Sequence, residues 1–189
     1  MSFLDNSKTA GTAIWIVGII SIILGIVGLI SGILSDETDT AVAVIGGLGG
    51  ILVGLVYFGF GKSIRSGEIT GKWEIVCRIV YLTGIVFIIN GIFGYNGDGK
   101  DWAIQIAKGI VLGLVCLFIH KRMTDGKTDV LDKILWILLV VISIIYIIIS
   151  LLDILVFPIG TITGICGLLI GLFLIISLFD DDVKKKMGI

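Results

Sequence analysis

Six apolar runs, each near the length of a bilayer crossing, divide the chain: Ala13–Leu34, Ala41–Phe60, Trp73–Gly94, Trp102–Ile119, Ile134–Phe157 and Ile159–Leu178. A spanning helix needs about 20 predominantly apolar residues to cross a hydrocarbon core roughly 30 Å thick. The runs are continuous and do not alternate, so they read as helices and not as barrel strands. A helix also satisfies its own backbone N–H and C=O groups where there is no water to do so. The pattern therefore predicts an all-α membrane protein of six transmembrane helices with short loops. The first run is too long for the apolar segment of a signal peptide, and no small-residue cleavage motif follows it. It is expected to stay as the first helix.

The polar linkers differ in charge. Ser35–Thr40 carries Asp36, Glu37 and Asp39 with no base, and Tyr95–Asp101 carries Asp98, Lys100 and Asp101. The Val156–Gly160 corner is uncharged. The alternate linkers are basic, with Lys62, Arg65 and Lys72 in one and Lys121, Arg122, Lys127 and Lys133 in the next. Lys8 precedes the first run and Lys184, Lys185 and Lys186 follow the last. Eleven of the 14 Lys and Arg thus fall on one side, and Lys100 alone on the other. The positive-inside rule places both termini in the cytoplasm and the protein in the cell membrane as a multi-pass chain. Trp15, Trp73, Trp102 and Trp136 all sit near span ends, where interfacial aromatics belong.

The runs repeat. Residues 25–34 (GIVGLISGIL) match residues 84–93 (GIVFIINGIF) at six of ten positions, a shift of 59. The same shift matches residues 50–56 (GILVGLV) to 109–115 (GIVLGLV) at five of seven. A fainter third copy has Ser143 and Ser150 in place of Gly84 and Gly91, and Gly167 and Gly171 in place of Gly109 and Gly113. One domain, residues 1–189, is therefore expected to hold three tandem two-helix units at about 13–71, 72–130 and 131–187. Two helices per unit give every copy the same orientation, as in parallel-repeat transporters. The first helices carry Gly25/Gly32, Gly84/Gly91 and Ser143/Ser150; the second carry Gly50/Gly54, Gly109/Gly113 and Gly167/Gly171. Small residues on one face let helices approach closely, within the chain or between chains.

The stretch Gly18-Ile19-Ile20-Ser21-Ile22-Ile23-Leu24-Gly25-Ile26 is similar to the G-I-x-x-I-x-L-G-I start of the repeated units in the HdeD-like family of small six-helix prokaryotic membrane proteins. Chain length and helix number are similar too. The resemblance implies a membrane protein linked to stress or acid resistance, with no catalytic residues to carry over.

Composition adds exclusions. The chain is 57% hydrophobic and 15% charged, against about 45–50% and 25% in soluble domains. Its mean hydropathy is +1.15. A net charge of −1 without a basic stripe argues against a nucleic-acid partner. Cys77, Cys116 and Cys166 lie inside apolar runs at no metal-binding spacing and read as small packing residues. Gly46–Gly50 lacks the Lys-Ser/Thr of a phosphate loop. No catalytic, metal or cofactor motif is present, and no enzyme activity is expected. The partners expected are the lipid bilayer and, through the Gly-rich faces, another copy or another membrane subunit.

Ionisable residues within spans mark candidate sites. Glu74 and Arg78, spaced i,i+4 at the cytoplasmic start of the third helix, form a candidate inner ion pair, read as an anchor or a gate. Lys108 and Asp153 lie in the outer halves of their helices, with Asn90, Gln105, Thr161 and Thr163 at similar depth. Together these six would line an outer polar vestibule for an ion or small solute. The plainer alternative has Lys108 snorkelling outward and Asp153 ending its helix. His120, the one histidine, opens the basic stretch His120-Lys121-Arg122 and reads as an interfacial anchor able to contact anionic headgroups. A structural or accessory role ranks first, and a small transporter or channel second.

Overall fold

Helices form where the apolar runs lie, and several reach beyond them. The computed structural model describes residues 6–34, 40–126, 128–156 and 159–189. It contains α1 (Ser7–Leu34), α2 (Thr40–Ser66), α3 (Lys72–Phe93), α4 (Gly99–Thr124), α5 (Val130–Asp153), α6 (Ile159–Leu178) and α7 (Asp181–Lys186). The first six are long and apolar enough to cross a membrane, and no strand occurs among the described residues. Six such helices suggest a multi-pass integral membrane protein.

The differences from the sequence boundaries lie at the polar ends. Bilayer thickness limits the apolar length of a helix, not its hydrogen bonding. α1 starts six residues before Ala13, and α2 runs on to Ser66. It stops where Gly67, at φ +82°, takes a left-handed conformation that suits glycine. α4 starts three residues before Trp102, because the Asp98 carboxylate accepts from the N–H groups of Lys100 and Asp101 at 2.7 and 3.4 Å. α5 ends at Asp153, short of the expected Phe157. Phe157, Pro158, the acidic Asp36, Glu37 and Asp39, and Lys127 lie outside the described residues. α7 has no counterpart in the hydropathy pattern. Its start is capped by Asp180, and it buries Val183 and, just beyond its end, Met187.

α1 packs on α2, α3 on α4 and α5 on α6, giving three antiparallel hairpins. α2 also packs on α3, and α6 returns to α1, while α4 meets α5 only lightly. The helices thus neighbour one another in chain order. The starts of α1, α3 and α5 and the ends of α2, α4 and α6 share one end, here the basic end. Two apolar clusters fill the bundle from mid-helix to that end. One joins Ala10, Ile14, Ile64, Ile75 and Phe173; the other joins Val76, Met123, Leu135, Val183 and Met187.

Burial is inverted relative to a water-soluble bundle. α5 buries Asp132, Leu135, Leu139, Ser143 and Ser150, while Ile134, Ile137, Val141, Ile145, Ile148 and Leu152 are exposed. Both serines donate back to their own helix, Ser143 to the Leu139 carbonyl and Ser150 to the Tyr146 carbonyl, at 2.8 Å each. Small groups inside and large aliphatics outside suit a lipid solvent, in which close packing replaces the hydrophobic drive between helices. In water such apolar surface would associate.

The small residues set the contact within each hairpin, with one difference in register. In the second hairpin, a Cβ placed on Gly84 would lie 2.9 Å from the Gly113 carbonyl oxygen, and one on Gly91 would lie 2.9 Å from Gly109 Cα. In the third, Gly167 faces Ser150 and Gly171 faces Ile147, which keeps that register, since Gly113 faces Ile88. The matching pairs in the first hairpin would be Gly25–Gly54 and Gly32–Gly50. Instead a Cβ on Gly25 would lie 2.7 Å from the Gly47 oxygen, one on Gly54 would lie 2.7 Å from the Gly18 oxygen, and Gly32 faces Ala43. The first hairpin is offset by seven residues, about 10 Å of helix rise. The glycine spacing permits this: α1 has glycines at 11, 18, 25 and 32 and α2 at 47, 54 and 61. A slide of one heptad presents a glycine again at most contacts.

Candidate functional site

The outer polar residues fall into two groups on different hairpins. Asn90, Gln105 and Lys108 belong to α3 and α4 and are all exposed. Within that hairpin Gln105 lies beside the end of α3, its Oε1 2.8 Å from where a Gly94 Cβ would stand. Asp153, Thr161 and Thr163 belong to the third hairpin. Asp153 is exposed and is the last residue of α5. Thr161 donates to the Ile154 carbonyl at 2.9 Å, and Thr163 to the Ile159 and Gly160 carbonyls at 3.1 and 3.2 Å. Between these two hairpins α4 touches α5 only lightly, and α3 meets α6 at a few positions. No ion pair joins Lys108 to Asp153 among the described residues.

At the basic end the residues do converge. Glu74 and Arg78 sit one turn apart on α3 with Arg78 Nη2 3.4 Å from Glu74 Oε1, and both side chains are about half exposed. They line a groove of about 490 Å³ between α3 and α4. Trp73 and Tyr81 lie along α3, and His120 and Thr124 come from the last turns of α4. His120 Nδ1 lies 2.9 Å from the Cys77 carbonyl oxygen. A carbonyl only accepts, so Nδ1 carries the hydrogen in this bond and Nε2 is left with a lone pair or a second proton. The Tyr81 and His120 rings lie 5.1 Å apart, and Lys186 Nζ stands 5.7 Å from the Trp73 ring centre. The hairpin turn is what unites Glu74 and Arg78 with His120, which follows Arg78 by 42 residues. Spacing along one helix gives no sign of it.

The sequence reading missed a charged latch between α4 and α5. Arg122 Nη1 bonds Asp125 at 3.0 Å and Nη2 bonds Asp129 at 2.6 Å, with Asp132 3.7 Å away. Asp132 is only 2% exposed and accepts from the Asp129 N–H at 2.8 Å. The Arg122 hydrogen bond holds the Asp129 carboxyl below the ordinary carboxylate range. The available signal was the Asp129-x-x-Asp132 capping box ahead of an apolar run. A second ion pair, Lys72 Nζ to Asp180 Oδ2 at 2.8 Å, ties the start of α3 to the α6–α7 junction and lowers the Asp180 carboxyl likewise.

The twelve small packing positions lie on the inside of their hairpins: Gly25, Gly32, Gly50 and Gly54 in the first; Gly84, Gly91, Gly109 and Gly113 in the second; Ser143, Ser150, Gly167 and Gly171 in the third. Only Gly50 among them is not fully buried. No group of three or more His, Cys, Asp or Glu side chains able to hold a metal occurs among the described residues. No family model, no curated protein and no solved structure matches the chain. The HdeD-like resemblance accordingly rests on the motif in α1 and on chain length and helix number.

Proposed function

We propose that the chain is an integral membrane protein with a structural or accessory role and no catalytic activity. On this reading it consists of three tandem two-helix units related about an axis along the membrane normal, with both termini in the cytoplasm. The observation that carries the role is the placement of the outer polar residues on two different hairpins, Asn90, Gln105 and Lys108 on one and Asp153, Thr161 and Thr163 on the other, with no ion pair between the two sets among the described residues. The unit arrangement is supported by the 59-residue shift and by helices that neighbour one another in chain order. The basic end supports the orientation, since cytoplasmic loops collect Lys and Arg. A stress-related task follows the HdeD-like resemblance.

A second reading, a small transporter or channel, is favoured by Lys108, an exposed cation well inside a span. Ion and proton flux through purified protein in liposomes separates the two. The accessory reading expects no flux above empty liposomes for several ions. Flux that changes in Lys108→Ala would replace it with transport.

A further inference from the structure

The groove at the basic end places a carboxylate, a guanidinium and an imidazole beside two aromatic rings. Glu74 and Arg78 pair at 3.4 Å, longer than a good charge-assisted hydrogen bond. Both are half exposed, so the pair is weak and either partner can be exchanged at little cost. Arg78 keeps free N–H donors in the planar fork that suits phosphate oxygens. Glu74 keeps an oxygen that accepts from a cation, and the Tyr81 ring further along the same groove offers an aromatic face. His120, fixed through Nδ1 by the Cys77 carbonyl, has Nε2 left for an incoming group.

An anion alone would meet Glu74 with like charge. A ligand carrying phosphate and ammonium together meets each fixed charge with its opposite: phosphate on Arg78, ammonium on Glu74. The groove also lies at the depth of Trp73, an interfacial aromatic. Beyond it α3 carries no charge from Ile79 to Phe93, and α4 none from Gly109 to Ile119. That apolar length suits acyl chains. We propose that this groove binds the headgroup of an ethanolamine phospholipid from the leaflet facing the basic end. The proposal rests on the membrane reading above.

The test uses the full chain in detergent and native mass spectrometry with added phosphatidylethanolamine, phosphatidylglycerol, phosphatidylcholine or soluble O-phosphoethanolamine. The expected result is retention of phosphatidylethanolamine at least tenfold over the other two lipids. Arg78→Gln should weaken retention of the ethanolamine lipid tenfold or more. Glu74→Gln should erase the preference for ethanolamine while leaving some phospholipid bound. Thermal unfolding of each variant in parallel reports whether it is folded. Equal retention of phosphatidylglycerol or phosphatidylcholine overturns the assignment, as does an Arg78→Gln protein, shown folded, that binds like the parent. Equal binding of soluble O-phosphoethanolamine overturns the lipid as ligand. An alkaline carbonate wash of the source membranes is read separately. Release by the wash overturns the membrane reading, whereas a wash-resistant chain that retains no ethanolamine lipid overturns the groove alone.

Discussion

Gly25 on α1 faces Gly47 on α2, a Cβ on the first falling 2.7 Å from the carbonyl oxygen of the second, whereas its repeat counterpart Gly84 faces Gly113, the counterpart of Gly54. The first hairpin is therefore one heptad out of step with the second. Oxidative cross-linking in a cysteine-free background distinguishes the registers. Gly32→Cys with Ala43→Cys should cross-link, and Gly32→Cys with Gly50→Cys should not. The reverse result would give the first hairpin the register of the other two.

Glycines at the helix contacts should tolerate substitution far worse than glycines that face open space. A Cβ on Gly109 would lie 2.7 Å from Gly91 Cα, while Gly28 and Gly46 have nothing within 4 Å. Gly109→Val is expected to destabilise the second hairpin by about 1–3 kcal/mol, as overpacking does. Gly46→Ala should leave the unfolding midpoint unchanged or raise it, because Ala is the better helix former. Thermal unfolding in detergent reads both.

Arg122→Gln should lower the unfolding midpoint more than Asp125→Asn does. The arginine serves Asp125 and Asp129 and stands near the buried Asp132, which would lose its nearest opposite charge. Asp125 is one of several carboxylates around the guanidinium. Equal effects of the two substitutions would show that the latch does not depend on Arg122.

The Lys72–Asp180 pair should make stability depend on acid. Lys72 holds the Asp180 carboxyl below the ordinary carboxylate range, first through the hydrogen bond between them. A depressed folded value contributes above the unfolded value and is lost as pH falls through the folded one. The unfolded value is about 3.9, so the contribution is complete above roughly pH 5 and declines as pH falls through about 4 and below. Asp129 acts in the same direction. The gap in unfolding midpoint between the parent and Asp180→Asn should be constant near neutrality and close at acid pH. A gap that widens on acidification would contradict the sign.

The six helices were legible because hydropathy over some 20 residues is a strong signal that tertiary contacts rarely override. The glycine faces were legible as positions but not as pairings. Spacing marks Gly25 and Gly54 as contact residues, yet a seven-residue slide exchanges Gly54 for Gly47 at little steric cost. The groove was legible only in pieces. The i,i+4 rule joins Glu74 to Arg78, but His120 reaches them through a hairpin whose register no local pattern fixes. The outer vestibule required α4 and α5 to be close neighbours, and linear depth carries no such information. α7 escaped because six residues of Asp and Lys around one valine have no hydropathy signal, although Val183 is completely buried.

The most direct test of the account is membrane topology by thiol labelling. Single cysteines are placed at Ser66, Asn96 and Lys185, all exposed, in a chain whose three native cysteines are replaced. On intact cells an impermeant maleimide should label Asn96→Cys at once, and Ser66→Cys and Lys185→Cys only after permeabilisation. Labelling of Ser66→Cys and Asn96→Cys from the same side would contradict a spanning α3, and with it the three-hairpin membrane protein argued from the sequence upward.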